Sequence, residues 1–297
     1  MIQEMRLVRI SLSVVLTVCT LSTLASAEDL LTAPKLTRGP YVQLSTPSSV
    51  SIIWRTVGET QPVVRYGSNP ANLDHTVADA SILVRKVLKE GEASNDLSLH
   101  SAPEGTVQYD ATFAGLEPGT TYYYAIGNGA TTLAGGDSEH FFRTHPEPGK
   151  VKPVRIWVVG DSGTSDARQA TVYQAMREHV TKQNHPLDLY VHVGDMAYPS
   201  GTDEEFQKKF FGVYQPTLQN TVCWASMGNH EGKTSKGLLG VGPYYDAYVC
   251  PKRGESVIPS VGSSGDSHCE CSLKSLDTWS ATCRILTISP PILRLLA

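Results

Sequence analysis

"YVHVGDMAYPSG", Tyr190 to Gly201, decides how this chain folds. An apolar run carries it through Val191 and Val193, stops on Gly194, and presents a carboxylate, Asp195, with a phenol, Tyr198, three residues on. A lone Gly-Asp is ordinary turn chemistry. Here two other apolar runs end the same way. "VVGDSG" delivers Asp161 and "SMGNHE" delivers Asn229 and His230. The spacing is 34 residues from Asp161 to Asp195 and 34 again from Asp195 to Asn229, enough for a strand, a helix and a return. Open α/β sheets bind ligands outside the carboxyl ends of their strands, so these side chains are expected on one rim. The Gly before each polar residue is read as freedom for a sharp turn.

The flanking sequence has the same character. "VRIWVV", Val154 to Val159, is continuously apolar, as a strand covered on both faces would be. A helix is expected from Asp166 to about Gln183, with Val172, Ala175, Met176 and His179 on one face. "TDEEFQKKFFG" spaces Thr202 and Glu205 as a capping box, pairs Phe206 with Phe210 and ends on Gly212. "TVCWASM" is a third strand. Strands alternating with helices predict α/β architecture with parallel strands in one sheet.

Upstream, residues 34–145 read as all-β. "SSVSIIWRT" places Val50, Ile52 and Trp54 on one face and Ile53 on the other, and "LEPGTTYYYAIG" runs from a Pro-Gly turn into an aromatic strand. Short strands at this spacing predict a β-sandwich. "RTHPEPGKVKP", Arg143 to Pro153, is a Pro-rich linker, which starts the α/β half near residue 152 and carries it to 250. From 251 to 297 the chain is Ser- and Gly-rich without sustained period, and reads as a disordered or frame-shifted tail.

The net charge of −4 and a pI near 6.1 argue against a nucleic-acid partner. Residues 1–27 read as a cleaved signal peptide: Arg6 and Arg9, an apolar stretch from Ile10 to Leu24, then Ala25-Ser26-Ala27. The expectation is a secreted or periplasmic protein with no membrane segment after cleavage. Cys223 sits in an apolar run and reads as a buried thiol. Cys250, Cys269, Cys271 and Cys283 allow three disulfide connectivities.

Carboxylates, a carboxamide oxygen and a phenolate are hard ligands suited to Fe(III), Mn(II), Mg(II) or, with imidazole, Zn(II). Ordinary readings compete with this one. Asp161 could cap the following helix, Tyr198 could be a half-buried ring, His192 reads as a core histidine and Glu231 as a structural acid. Asp266 and His268 beside Cys269 and Cys271 could bind a soft metal, but chance or disulfide chemistry accounts for them as well.

"GDSG", "GDMAY" and "GNHE" resemble the first three signature blocks of the calcineurin-like metallophosphoesterases. The Tyr after Gly-Asp-x-x, and a sandwich resembling fibronectin type III by its Leu-x-Pro-x-Thr-x-Tyr corner, point to purple acid phosphatases. The resemblance implies an N-terminal fibronectin III-like domain, then an incomplete metallophosphoesterase domain, a partial αββα sandwich. It implies phosphomonoester hydrolysis by a metal-bound hydroxide at a dinuclear centre of Fe(III) with Zn, Mn or Fe(II), acting on a small phosphoester. Asp161 would bind the first metal, Asp195 would bridge, Tyr198 would ligate iron and Asn229 the second metal. His230 would hydrogen-bond the phosphate or assist the leaving group.

The family continues with three more histidines, two of them in a Gly-His-x-His block. No such block occurs here, and His268 is the sole histidine after His230. The second metal would lose two ligands and the first would lose one. The chain therefore reads as a truncated or frame-shifted copy of a longer enzyme. The alternative function is a catalytically inactive product or a binding module carried by the sandwich.

Overall fold

A computed structural model describes residues 34–78, 81–86, 102–236, 240–249 and, as backbone, 284–288. The expected signal peptide, the four late cysteines and the Asp266–His268 pair lie outside the described residues.

The N-terminal half is a β-sandwich. One sheet has the order β1–β2–β6–β5, built from Lys35–Gln43, Ser49–Val57, Thr106–Ala114 and Ile82–Lys86. The other has the order β4–β3–β7–β8, from His75–Ala78, Pro62–Gly67, Thr121–Asn128 and Thr131–Gly135, with β9 (Phe141–Arg143) also pairing β7. The period-two pattern of β2 sorts its side chains as expected. Val50, Ile52 and Trp54 enter the core between the sheets with Tyr109, Tyr124 and Phe142. Ile53 goes the other way, into the core of the following half, with Tyr41 from β1. At the corner before β7, the Tyr122 hydroxyl accepts the Glu117 N–H at 3.0 Å.

This outer face of β1 and β2 is the seam between the two halves. Tyr41 packs on Phe211 with ring centroids 4.8 Å apart, and its hydroxyl donates to the Ala247 carbonyl at 3.0 Å. Buried Arg38 and Arg55 both reach Asp203 across the seam. Breaking such a pair from one side costs about 3–5 kcal/mol, because the partner charge stays buried.

The second half centres on a sheet of order β12–β11–β10–β13. β10 (Val154–Val159), β11 (Leu189–His192) and β12 (Cys223–Ala225) run parallel, as the sequence predicts. β13 (Arg284–Ile288) lies antiparallel on the other side of β10. The sequence reading assigned no structure to the tail, and this strand belongs to it. Cys223 is buried as a free thiol.

Between β10 and β11 runs α1 (Ala167–Lys182), capped by Asp166, whose carboxylate accepts the Arg168 and Gln169 N–H groups at 3.0 Å. Asp161 is therefore not the cap. The inward face also differs from expectation. Gln169 and Met176 are buried with Tyr173 and Val180 alongside, while Val172 is 37% exposed. Gln169 takes an interior place because its amide donates to the Lys209 carbonyl (2.7 Å) and the Tyr214 hydroxyl (3.0 Å). Hydrophobic periodicity is blind to a polar residue buried in this way.

After β11, the helix α2 (Asp203–Phe206) opens with the predicted capping box of Thr202 and Glu205. It does not end on Gly212. A π turn (Gln207–Phe211) passes into α3 (Gly212–Leu218), and the apolar face continues through Phe210, Tyr214 and Leu218. Burial of that face outweighs the weak stop signal of one glycine. A short helix α4 (Pro243–Ala247) completes the described part.

Candidate metal centre

Strand register builds the rim. Val159, His192 and Ala225 lie side by side across β10, β11 and β12, so the residues that follow leave the sheet at one edge. The Asp161 N–H then donates to the Gly194 carbonyl and the Gly163 N–H to the Asp195 carbonyl, each at 3.1 Å. These bonds lock the first two strand exits together.

The sharp turns fall on the acids themselves. Asp161 and Asp195 have φ of +51° and +58°, a left-handed region that Asp enters more readily than most residues. The sequence reading gave that role to the preceding glycines. Gly194 shares it, at φ +104°, but the other glycines serve close approach. A Cβ on Gly228 would sit 2.2 Å from Asp195 Oδ1, and one on Gly163 would sit 2.1 Å from the Met196 carbonyl carbon.

Three of the predicted oxygens converge. The Tyr198 hydroxyl donates to Asp161 Oδ1 at 2.9 Å and lies 3.3 Å from Asp195 Oδ2. Burial, then the Asp161 and Asp195 carboxylates, push the phenol well above its ordinary range. Burial also raises the Asp161 carboxyl, and Asp195 adds to the rise while the Tyr198 hydrogen bond opposes it. Two acids and a phenol drawn together in this way would be stabilised by a hard cation between them.

The third exit contributes differently. Asn229 is exposed at the turn, and the His230 N–H donates to Asp195 Oδ1 at 3.0 Å. The His230 ring stands edge-on to Tyr198, with centroids 4.3 Å apart, and its Nδ1 donates to the Pro199 carbonyl at 2.6 Å. Lys233 also donates to that carbonyl, at 2.7 Å.

Two residues assigned no catalytic part hold the rim in shape. Glu231 is fully buried, and its carboxylate accepts four backbone N–H groups: Asp195 (2.8 Å), Met196 (2.9 Å), Ala197 (3.0 Å) and Gly228 (3.0 Å). Burial pushes this carboxyl up, and the Gly228 and Ala197 N–H groups pull it back. His192, also fully buried, sits 2.8 Å from the Ser162 hydroxyl through Nε2 and accepts the Gly194 N–H on Nδ1 at 3.3 Å. Nδ1 thus carries no proton and Nε2 donates to Ser162. Burial holds this imidazole down at about 3, so it is neutral.

The donor set suits one hard cation. Among the described residues, no three His, Cys, Asp or Glu side chains gather closely enough to form a metal cluster on their own. Beside Asp161, Asp195 and Tyr198 the described residues bring one imidazole, that of His230, with its Nδ1 given to Pro199, which is fewer nitrogen donors than a softer second ion needs.

Both halves of the chain are similar to known families. Residues 38–144 match the "Purple acid Phosphatase, N-terminal domain" and residues 154–285 match the "Calcineurin-like phosphoesterase" family. The chain thus carries a purple acid phosphatase N-terminal domain followed by a calcineurin-like phosphoesterase domain. The match extends past residue 250, where the sequence resemblance ends, and takes in the start of β13. A curated relative from Arabidopsis thaliana, "Probable inactive purple acid phosphatase 24", is 25% identical over 127 residues, covering 39% of this chain and 20% of the relative. A solved purple acid phosphatase, PPD1 from yellow lupin (Lupinus luteus) seeds, is 18% identical with a TM-score of 0.48, covering 65% of this chain and 35% of that one. The structure of PhoD is 15% identical with a TM-score of 0.41, covering 65% and 38%. The chain spans about a fifth of the curated relative and little more than a third of either solved one.

Proposed function

We propose that this chain is an exported, metal-dependent phosphoesterase of the purple acid phosphatase type, acting slowly on small phosphomonoesters. The observation that carries the reading is the Tyr198 hydroxyl lying against both Asp161 and Asp195 at adjacent strand exits. Asp161, Asp195 and Tyr198 would hold an Fe(III)-class cation, with Asn229 on the open side of the rim for a second ion. A bound cation supplies Lewis-acid charge and acidifies the water that attacks phosphorus. The chain's own residues do the rest. Asp195 is fixed on both sides, by the His230 N–H and by Glu231 behind its turn. His230 commits Nδ1–H to Pro199, so Nε2 would donate to a phosphate oxygen or protonate the leaving alcohol from the imidazolium form, in which both ring nitrogens carry a proton.

A non-catalytic role is the second reading. The lack of a Gly-His-x-His block in this sequence favours it, and the name of the Arabidopsis relative points the same way. Phosphate release from 4-nitrophenyl phosphate separates the two. The enzyme reading expects turnover that needs added metal and disappears in Asp195→Asn. Folded, metal-loaded protein without turnover establishes the non-catalytic reading. No helix among the described residues is long and apolar enough to cross a membrane. Export itself is tested by N-terminal sequencing of secreted material, which should begin after Ala27.

A further inference from the structure

Arg38 and Arg55 are direct cross-strand partners on β1 and β2, and each is 1% exposed. Like charges facing each other across a ladder repel, and buried guanidinium groups need their hydrogen bonds met. Each Nε is satisfied by a glutamine: Arg38 by Gln207 at 2.8 Å, Arg55 by Gln108 at 2.7 Å. One terminal nitrogen of each then turns to the same atom, Asp203 Oδ1. The remaining nitrogens, Arg38 Nη1 and Arg55 Nη2, are buried without a hydrogen-bond partner among the described residues. The nearby carboxylates Asp110 and Asp246 pair with Arg85, at 2.8 and 3.7 Å, and Asp246 also attracts Arg55 at longer range. The Phe211 ring, 4.0 Å from Arg38 Cζ, offsets part of one charge and supplies no acceptor.

Arg38 and Arg55 are among the residues that line a cavity of about 580 Å³, with Thr37, Thr106 and Lys208, and with the carboxylates Asp203, Glu104 and Glu204. The two glutamates are exposed, so water screens them, whereas the arginine side is dry. We infer that this seam is an oxyanion site, in which a phosphate-like group bridges Arg38 Nη1 and Arg55 Nη2. A tetrahedral oxyanion carries several acceptor oxygens, which guanidinium N–H groups read well. The two nitrogens are shielded from bulk water, so entry requires a lining side chain to shift, and the bonds then form where solvent screens them little. The site is independent of the strand-end rim and of the phosphoesterase reading.

The test uses full-length Asp195→Asn protein in EDTA, so that the rim does not hold the probe. Inorganic phosphate should raise the melting temperature saturably, beyond sodium chloride of equal ionic strength. Arg55→Lys keeps a charge for Asp203 but removes Nη2, and should weaken phosphate binding about tenfold or more. A response equal to that of chloride, or an unchanged affinity in Arg55→Lys, overturns the site. Where Arg55→Lys does not fold, crystals of the parent protein grown with arsenate decide. Anomalous density between Arg38 Nη1 and Arg55 Nη2 supports the proposal, and its absence there ends it.

Discussion

Removal of the Glu231 carboxylate should disorganise the rim without touching any proposed ligand. Its oxygens accept four N–H groups, three from the turn that carries Asp195 and one from Gly228 before Asn229. In Glu231→Ala all four lose their acceptor in a buried place. Each stranded donor costs about 1–3 kcal/mol, so the sum is at least about 4 kcal/mol, comparable with the whole stability of a domain. That sum exceeds what the residue adds by its presence, because burial already penalises the charged carboxyl. Glu231→Gln is the sharper probe. Its amide oxygen still accepts two N–H groups, but its NH2 confronts the other two as donor against donor, for a loss of about 2–4 kcal/mol. Urea denaturation of both variants gives the stabilities, and calorimetric titration with Mn(II) or Fe(III) reads the rim. Cation affinity should fall in Glu231→Gln even where the protein remains folded. A Glu231→Gln variant within about 0.5 kcal/mol of the parent, with unchanged cation affinity, would refute the clamp.

Three further outcomes follow from the packing. Gly228→Ala drives a Cβ to 2.2 Å from Asp195 Oδ1, so calorimetric titration should find cation binding lost, whereas a neutral result would contradict the close approach. Burial holds His192 down at about 3, against about 6.5 in the unfolded chain, so stability is full above that value and falls as pH drops below it. Equilibrium unfolding at several pH values should show this slope, and His192→Phe should flatten it. Burial pushes Asp203 up, but Arg55 and Arg38 outweigh it and hold the carboxyl at about 2. The seam's contribution is therefore complete above about pH 4, the unfolded value, and is lost as pH falls towards about 2, which Asp203→Asn should abolish.

The parallel order of β10, β11 and β12 was legible because each apolar run ends on the same Gly-polar signal at even spacing. The sandwich was legible because β2 alternates, and even the opposite placement of Ile53 is visible there. The structural acid Glu231 and the core histidine His192 are buried as read, but their hydrogen-bond partners were not legible, and Gln169 inside α1 was missed altogether: these polar groups are buried by bonds to distant backbone or hydroxyl groups, of which hydrophobic pattern carries no trace. Glu231 left one signal: an acid directly after Gly-Asn-His, where a turn beside a strand exit exposes N–H groups. The extension of α2 through Gly212 was hidden because local stop signals are weak against a continuing apolar face. Arg38 and Arg55 gave no warning, since their proximity depends on strand register rather than on sequence spacing.

Ferric titration of the purified chain, followed by visible absorption, tests the central claim most directly. Convergence of Asp161, Asp195 and Tyr198 predicts a phenolate-to-ferric band that grows to about one equivalent, is absent in Tyr198→Phe and is lost in Asp195→Asn. A colourless titration, or a band that survives Tyr198→Phe, would contradict it.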